Sequence, residues 1–109
     1  MAAVKVERCV YSVPSLQLFG TCLTALGQLR ATIERHDVDQ GTIVALLGEG
    51  LLGPMSELSL ALRPLDQRRT ELEATWQARK RGGDRRLLTV FLDSVDQLIG
   101  SGEQPINQC

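Results

Sequence analysis

The sequence predicts an all-α protein, an antiparallel bundle of about four helices preceded by an extended amino-terminal arm. Three observations carry the prediction. The stretch from Pro54 to Arg79 is the longest helical pattern in the chain: Met55, Leu58, Leu62, Leu65, Leu72 and Trp76 fall on one side of a helix, and only Arg69 breaks the stripe. Further stretches on both sides of it repeat apolar residues at gaps of three and four. Finally, 43% of the 109 residues are hydrophobic but only 4% are aromatic, so the core is drawn from Leu, Val and Ala, which suits helix-on-helix packing.

In chain order, Val4, Val6 and Val10 alternate with Lys5, Glu7, Cys9 and Tyr11, the period of a half-buried strand. No second strand is visible to pair with it, so residues 1–14 are expected to form an extended arm that ends at Pro14. Ser15 is placed to cap a helix running to about Glu34 with the stripe Phe19, Cys22, Leu26, Leu29 and Ile33. Gly20 and Gly27 within it are consistent with simple tolerance or with close packing of a neighbour. Asp37 or Asp39 then caps a second helix carrying Ile43, Val44, Leu46, Leu47, Leu51 and Leu52, weakened by Gly48, Gly50 and Gly53.

Pro54 opens the third, long helix and Pro64 kinks it. Arg81-Gly82-Gly83 closes it, and Asp84 caps a fourth helix with Leu87, Leu88, Phe91, Val95, Leu98 and Ile99, ending at Gly100. Residues 15–100 are thus read as the bundle and residues 101–109 as a mobile tail.

The chemistry-bearing residues are sparse. His36 lies beside Asp37 and Asp39, but adjacent positions do not make a triad. Gly48 to Gly53 lacks the Lys-Ser/Thr ending of a phosphate loop. Cys9, Cys22 and Cys109 are odd in number and widely spaced, which points to three reduced thiols rather than to a disulfide framework or a zinc site. No metal, cofactor or small-molecule substrate is evident, and no enzyme is expected. A net charge of −1 gives no global pull on nucleic acid or an anionic membrane. No apolar run is long enough to cross a bilayer and the amino terminus lacks a signal-peptide pattern, so a cytoplasmic address is expected.

Two surfaces are candidates for partner binding. The first is the row Val4, Val6 and Val10 on the arm, which has no strand beside it. The second is the basic turn Arg79, Lys80, Arg81, Arg85 and Arg86, which offers phosphate or headgroup contacts, although a helix end and a solvated loop also account for it. Arg69 joins them as a charge on an apolar stripe. Trp76, on the same stripe, is assigned to the core.

From Leu65 to Ile99 the pattern resembles the junction between spectrin-like repeats in Rho-activating exchange factors of the Trio and Kalirin type. Leu72-Glu73, Trp76, Arg79 and Lys80 stand where that family has a long helix, and Phe91 to Ile99 where it has a Phe-bearing one. The resemblance covers about a third of the chain. It implies a non-catalytic scaffold and carries over no binding residues. The expected function is therefore an adaptor or scaffold module that binds a protein partner, or a second copy of itself, through an apolar helical surface. The alternative is a regulatory module that binds an anionic partner through the basic turn.

Overall fold

The computed structural model describes residues 4–48, 55–79 and 83–100 of the chain. Strand β1 (Val4–Tyr11) leads into helix α1 (Ser15–Gln28). Strands β2 (Thr32–Asp37), β3 (Thr42–Leu47), β4 (Ser56–Pro64) and β5 (Thr70–Ala78) follow, and helix α2 (Arg86–Gly100) closes the described chain. The strands form an antiparallel sheet in the order β1-β5-β4-β3-β2. The expected all-α bundle is thus corrected to a sheet-dominated α+β fold.

The largest correction falls on residues 55–79, where the expected long helix is the β4–β5 hairpin. Leu58, Leu60 and Leu62 are buried, as are Leu72, Ala74 and Trp76, while the residues between them turn to the other face. The register sets Leu58 opposite Trp76, Leu60 opposite Ala74 and Leu62 opposite Leu72. A spacing of four is shared by a helix face and a strand face, because two strand periods also make four. Leu60 and Ala74, which fall off the helical stripe, are the residues that distinguish the two. Pro64 does not kink anything: lacking an N–H, it stands at the last position of β4. The turn that follows is held by Asp66, whose carboxylate accepts the Arg68 amide at 2.8 Å and Arg69 Nε at 2.8 Å.

The second helix expected from Ile43 onward is also a strand, β3, paired with β2 and β4. Ile43, Ala45 and Leu47 face the core while Val44 and Leu46 are half-buried on the other side, so the strand is apolar on both faces. That all-round character imitates a buried helix. The run Thr42-Ile43-Val44 is β-branched and favours a strand. The β2–β3 turn is built by Asp37, whose Oδ1 accepts the amides of Asp39 and Gln40 at 3.0 and 3.1 Å. Gly41 ends it at φ 70° and lies so close to β4 that the Leu62 amide donates to its carbonyl at 2.7 Å. A Cβ at Gly41 would stand 2.6 Å from the Leu62 carbonyl oxygen.

The expected arm is strand β1, paired with β5 from Val4 opposite Gln77 to Tyr11 opposite Thr70. Its alternation is as expected. Cys9 and Tyr11 enter the core and Val4 and Val6 remain exposed. Cys22 is a free buried thiol, as expected for it, while Cys109 lies outside the described residues. Burial pushes the Cys22 thiol up to about 12, so it packs rather than reacts.

The helices expected near residues 15 and 84 are present. α1 starts at Ser15, although Ser15 makes no capping bond, and it stops at Gln28 instead of Glu34. Arg30, at φ 58°, then turns the chain into β2. α2 ends at Gly100, and the Asp84 carboxylate accepts the Arg86 amide at 2.9 Å, as a cap should. Leu18, Phe19, Cys22, Ala25 and Leu26 of α1 join Leu88, Phe91, Leu92 and Val95 of α2 and the inner face of the sheet in a single core. Each large side chain there contributes about 1.5–3 kcal/mol through its burial. Among the described residues, no helix is long and apolar enough to cross a membrane.

Candidate functional site

The β2–β3 turn, the end of β4 and the start of α1 meet at one end of the sheet, and there the interior opens. The cleft has a volume of about 160 Å³. Leu16 and Phe19 of α1 form one wall, Val38, Asp39, Gln40 and Gly41 of the β2–β3 turn another, and Leu62 and Pro64 of β4 the floor, with Ser15 at the rim. Its position follows from local chemistry. The Asp37 turn and the Gly41–Leu62 contact lay the turn across β4, while Pro14 stands just ahead of α1 and Pro64 ends β4 beside it.

The mouth is unusually apolar for a surface. Leu16 is 71% exposed and Val38 is 50% exposed, one on each side of the opening. Phe19, only 6% exposed, stands behind them with its ring edge-on to His36 at 6.5 Å between centroids. Exposed apolar groups flanking a concavity mark a place where something apolar is covered on binding. Asp39 supplies the carboxylate among the lining residues. A larger concavity of about 730 Å³ lies on β2 and β3, but Glu34, Arg35, His36, Asp37 and Thr42 on its wall are all exposed, so it cannot dry an apolar ligand.

Beside the cleft, the end of β1 is tied to α2. The Tyr11 hydroxyl donates to the Asp96 carboxylate, which joins the fully buried phenol to the carboxyl-terminal half of α2. Burial holds the Tyr11 phenol well above its ordinary value, and the Asp96 charge and hydrogen bond push the same way. Asp96 is likewise raised from its ordinary value. Burial is the main cause, the Tyr11 bond opposes it, and Asp93 adds to it. Among the described residues no group of three His, Cys, Asp or Glu side chains is placed to hold a metal ion.

At the opposite end of the sheet Ser56 and Trp76 are buried on the inner face, and among the described residues neither Ser56 Oγ nor Trp76 Nε1 has a hydrogen-bond partner. The sequence placed Trp76 in the core correctly but offered no sign of its orphaned N–H.

The residues singled out for partner binding are not assembled into one surface. Val4, Val6 and Val10 lie along the outer side of the edge strand β1. Arg69 belongs to the β4–β5 turn and pairs with Asp66. Arg79 follows β5 and faces Glu57 at 3.4 Å and Glu34 at 3.9 Å. Arg85 is exposed ahead of α2, and Arg86, its first residue, pairs with Asp84 at 3.0 Å. Lys80 and Arg81 lie outside the described residues. Sequence reasoning missed Leu16, Val38 and Gly41, because a cleft assembled from a turn and two strand ends leaves no periodic trace.

No protein-family model and no curated protein matches the chain. Solved structures do match its fold. Ara h 8.0201 is similar with a TM-score of 0.68 at 9% identity, over 94% of this chain and 100% of that one. The Zhui aromatase/cyclase from Streptomyces sp. R1128 gives 0.55 at 13% identity, over 94% and 99%. The di-domain ARO/CYC StfQ from the steffimycin biosynthetic pathway gives 0.64 at 10%, over 92% of this chain and 45% of that one. At these identities the likeness shows the fold, a sheet-rich α+β arrangement of the Bet v 1-like type. It overturns the resemblance to spectrin-like repeats and, with it, the helical surface on which an adaptor role rested. The expectation of a protein partner with no small molecule falls as well, since proteins of this fold include aromatase/cyclases.

Proposed function

We propose that the chain is a small-molecule-binding domain that takes a single-ring apolar ligand in the cleft between α1, the β2–β3 turn and the end of β4. The observation that carries this reading is the cleft itself, with the exposed Leu16 and Val38 at its mouth and the buried Phe19 and Leu62 within. Two proteins of the same fold are named for ring-forming chemistry, which supports a small organic ligand over a macromolecule. Volume sets the size class. About 160 Å³ matches a cavity of roughly 150 Å³ that accepts benzene, and falls below the roughly 300 Å³ at which drug-sized ligand pockets begin.

The role is binding rather than catalysis. Of the cleft residues, Ser15, Asp39 and Gln40 carry polar side chains, whereas His36 stands behind Phe19 on the wall of the other concavity, so acid, base and nucleophile do not converge.

The test is a titration of the full chain with toluene and with naphthalene, followed through backbone amide resonances. Toluene should give saturable shifts at Leu16, Phe19, Val38 and Gly41, naphthalene much weaker ones, and Val38→Trp should abolish both by filling the mouth. Shifts scattered over the sheet, or none, would overturn the assignment.

A further inference from the structure

We propose that Asp39 makes the cleft selective for single-ring ligands that carry a positive charge just outside the ring, the class of the arylmethyl ammonium ions. The inference rests on the reading of the cleft as a small-molecule site and adds the charge its ligand bears. Among the described residues Asp39 is the only charged one in the cleft lining, next to Val38 at the mouth. Its carboxylate has no ion pair or hydrogen bond among the described residues. The other aspartates outside the helices are engaged: Asp37 Oδ1 accepts two amides, Asp66 pairs with Arg69 at 2.8 Å, and Asp84 pairs with Arg86 at 3.0 Å. An ionised carboxylate can only accept, so a cationic donor is the partner that complements it.

The shape of the cleft suits such an ion. The cavity of about 160 Å³ has room for the ring against Phe19 and Leu62, which are buried. Asp39 is exposed, so the ammonium stays at the wet mouth and escapes the large cost of burying an ion. The turn that carries Asp39 is fixed before binding. The Asp39 and Gln40 amides are tied to Asp37 Oδ1, and the Gly41 carbonyl accepts the Leu62 amide of the floor. Little ordering is therefore left for the ligand to impose. Among the described residues no Lys, Arg or His lines the cleft, so an anionic ring meets a like charge and no counter-charge.

The full chain is titrated at low salt and neutral pH with toluene, benzylamine, benzyl alcohol and benzoate, and the amides of Leu16, Phe19, Val38 and Gly41 are followed. Benzylamine should bind about threefold tighter than benzyl alcohol, its neutral isostere, as an exposed ion pair allows, and benzoate should bind more weakly than either. Asp39→Asn should bring benzylamine and benzyl alcohol to equal affinity. Raising the salt to about 1 M, where the screening length is about 3 Å, should do the same in the wild type and decides the matter if the variant misfolds. Equal affinities in the wild type at low salt, a preference for benzoate, or a benzylamine advantage that survives Asp39→Asn or high salt would overturn the selectivity. Toluene separates the two failures. Saturable toluene shifts without a preference for the cation leave the cleft standing and remove this inference alone, whereas no saturation by any of these ligands removes the cleft reading and the inference with it.

Discussion

The two ends of the sheet are made by the same alternating strands and differ in what covers them. At the end where β4 meets Pro64, the β2–β3 turn and the start of α1 leave a cleft rimmed by exposed Leu16 and Val38. At the other, Gly83 packs closely against Ser56 and Ala78, and among the described residues Ser56 Oγ and Trp76 Nε1 are without hydrogen-bond partners. Alternation alone decides which face is inside. Which end admits a ligand is decided by turn chemistry and by close backbone approach.

The sharpest way to break this contrast is to truncate one residue at each end. Trp76→Ala should cost about 3–5 kcal/mol in denaturant unfolding, since it empties a buried site, whereas Leu16→Ala should cost about 0.5 kcal/mol or less. Equal losses would mean that the rim is core and the cleft is not open. Next comes Gly41→Ala, which places a Cβ 2.6 Å from the Leu62 carbonyl at a positive φ. A loss of about 1–3 kcal/mol is expected, with weaker toluene binding because Leu62 must shift. Unchanged stability would show that the turn does not lie on β4.

A smaller effect is expected from the Tyr11–Asp96 tie beside the cleft. The folded-state pKa of Asp96 is raised, so the fold favours the neutral carboxyl. Its contribution is fully present below the ordinary aspartate value and is lost as pH rises through the raised one. Asp66 and Asp84 are lowered and slope the other way, so the comparison is made between wild type and Asp96→Asn. The difference in melting temperature should move in favour of the variant as pH climbs through that window. A constant difference would contradict the burial of Asp96. Smallest of all, Gly20→Ala should stabilise α1 by about 0.5–1 kcal/mol, because nothing lies within 4 Å of the added methyl; a loss would reveal a packing contact there.

The helices were legible because their stripes have no competing period. Phe19, Cys22 and Leu26 at gaps of three and four cannot lie on one strand face, and neither can Leu88, Phe91 and Val95. The strand period of β1 was equally plain, but its partner was hidden. Residues 58, 62, 72 and 76 satisfy both helix and strand spacing, and the weight given to them concealed β5, the strand that pairs with β1. The charge alternation Glu71, Glu73 against Leu72, Ala74 was the decisive local sign. In β3, burial on both faces erased the alternation itself. The cleft was not legible, since Leu16 and Val38 are brought together only by the tertiary fold.

The most direct test of the cleft is a set of intermolecular nuclear Overhauser effects from bound toluene. The account predicts contacts from the toluene methyl and ring protons to the side chains of Leu16, Phe19 and Leu62, and none to Val4 or Val6 on the outer side of β1. Contacts to the outer side alone, or the absence of any contact at saturating toluene, would contradict it.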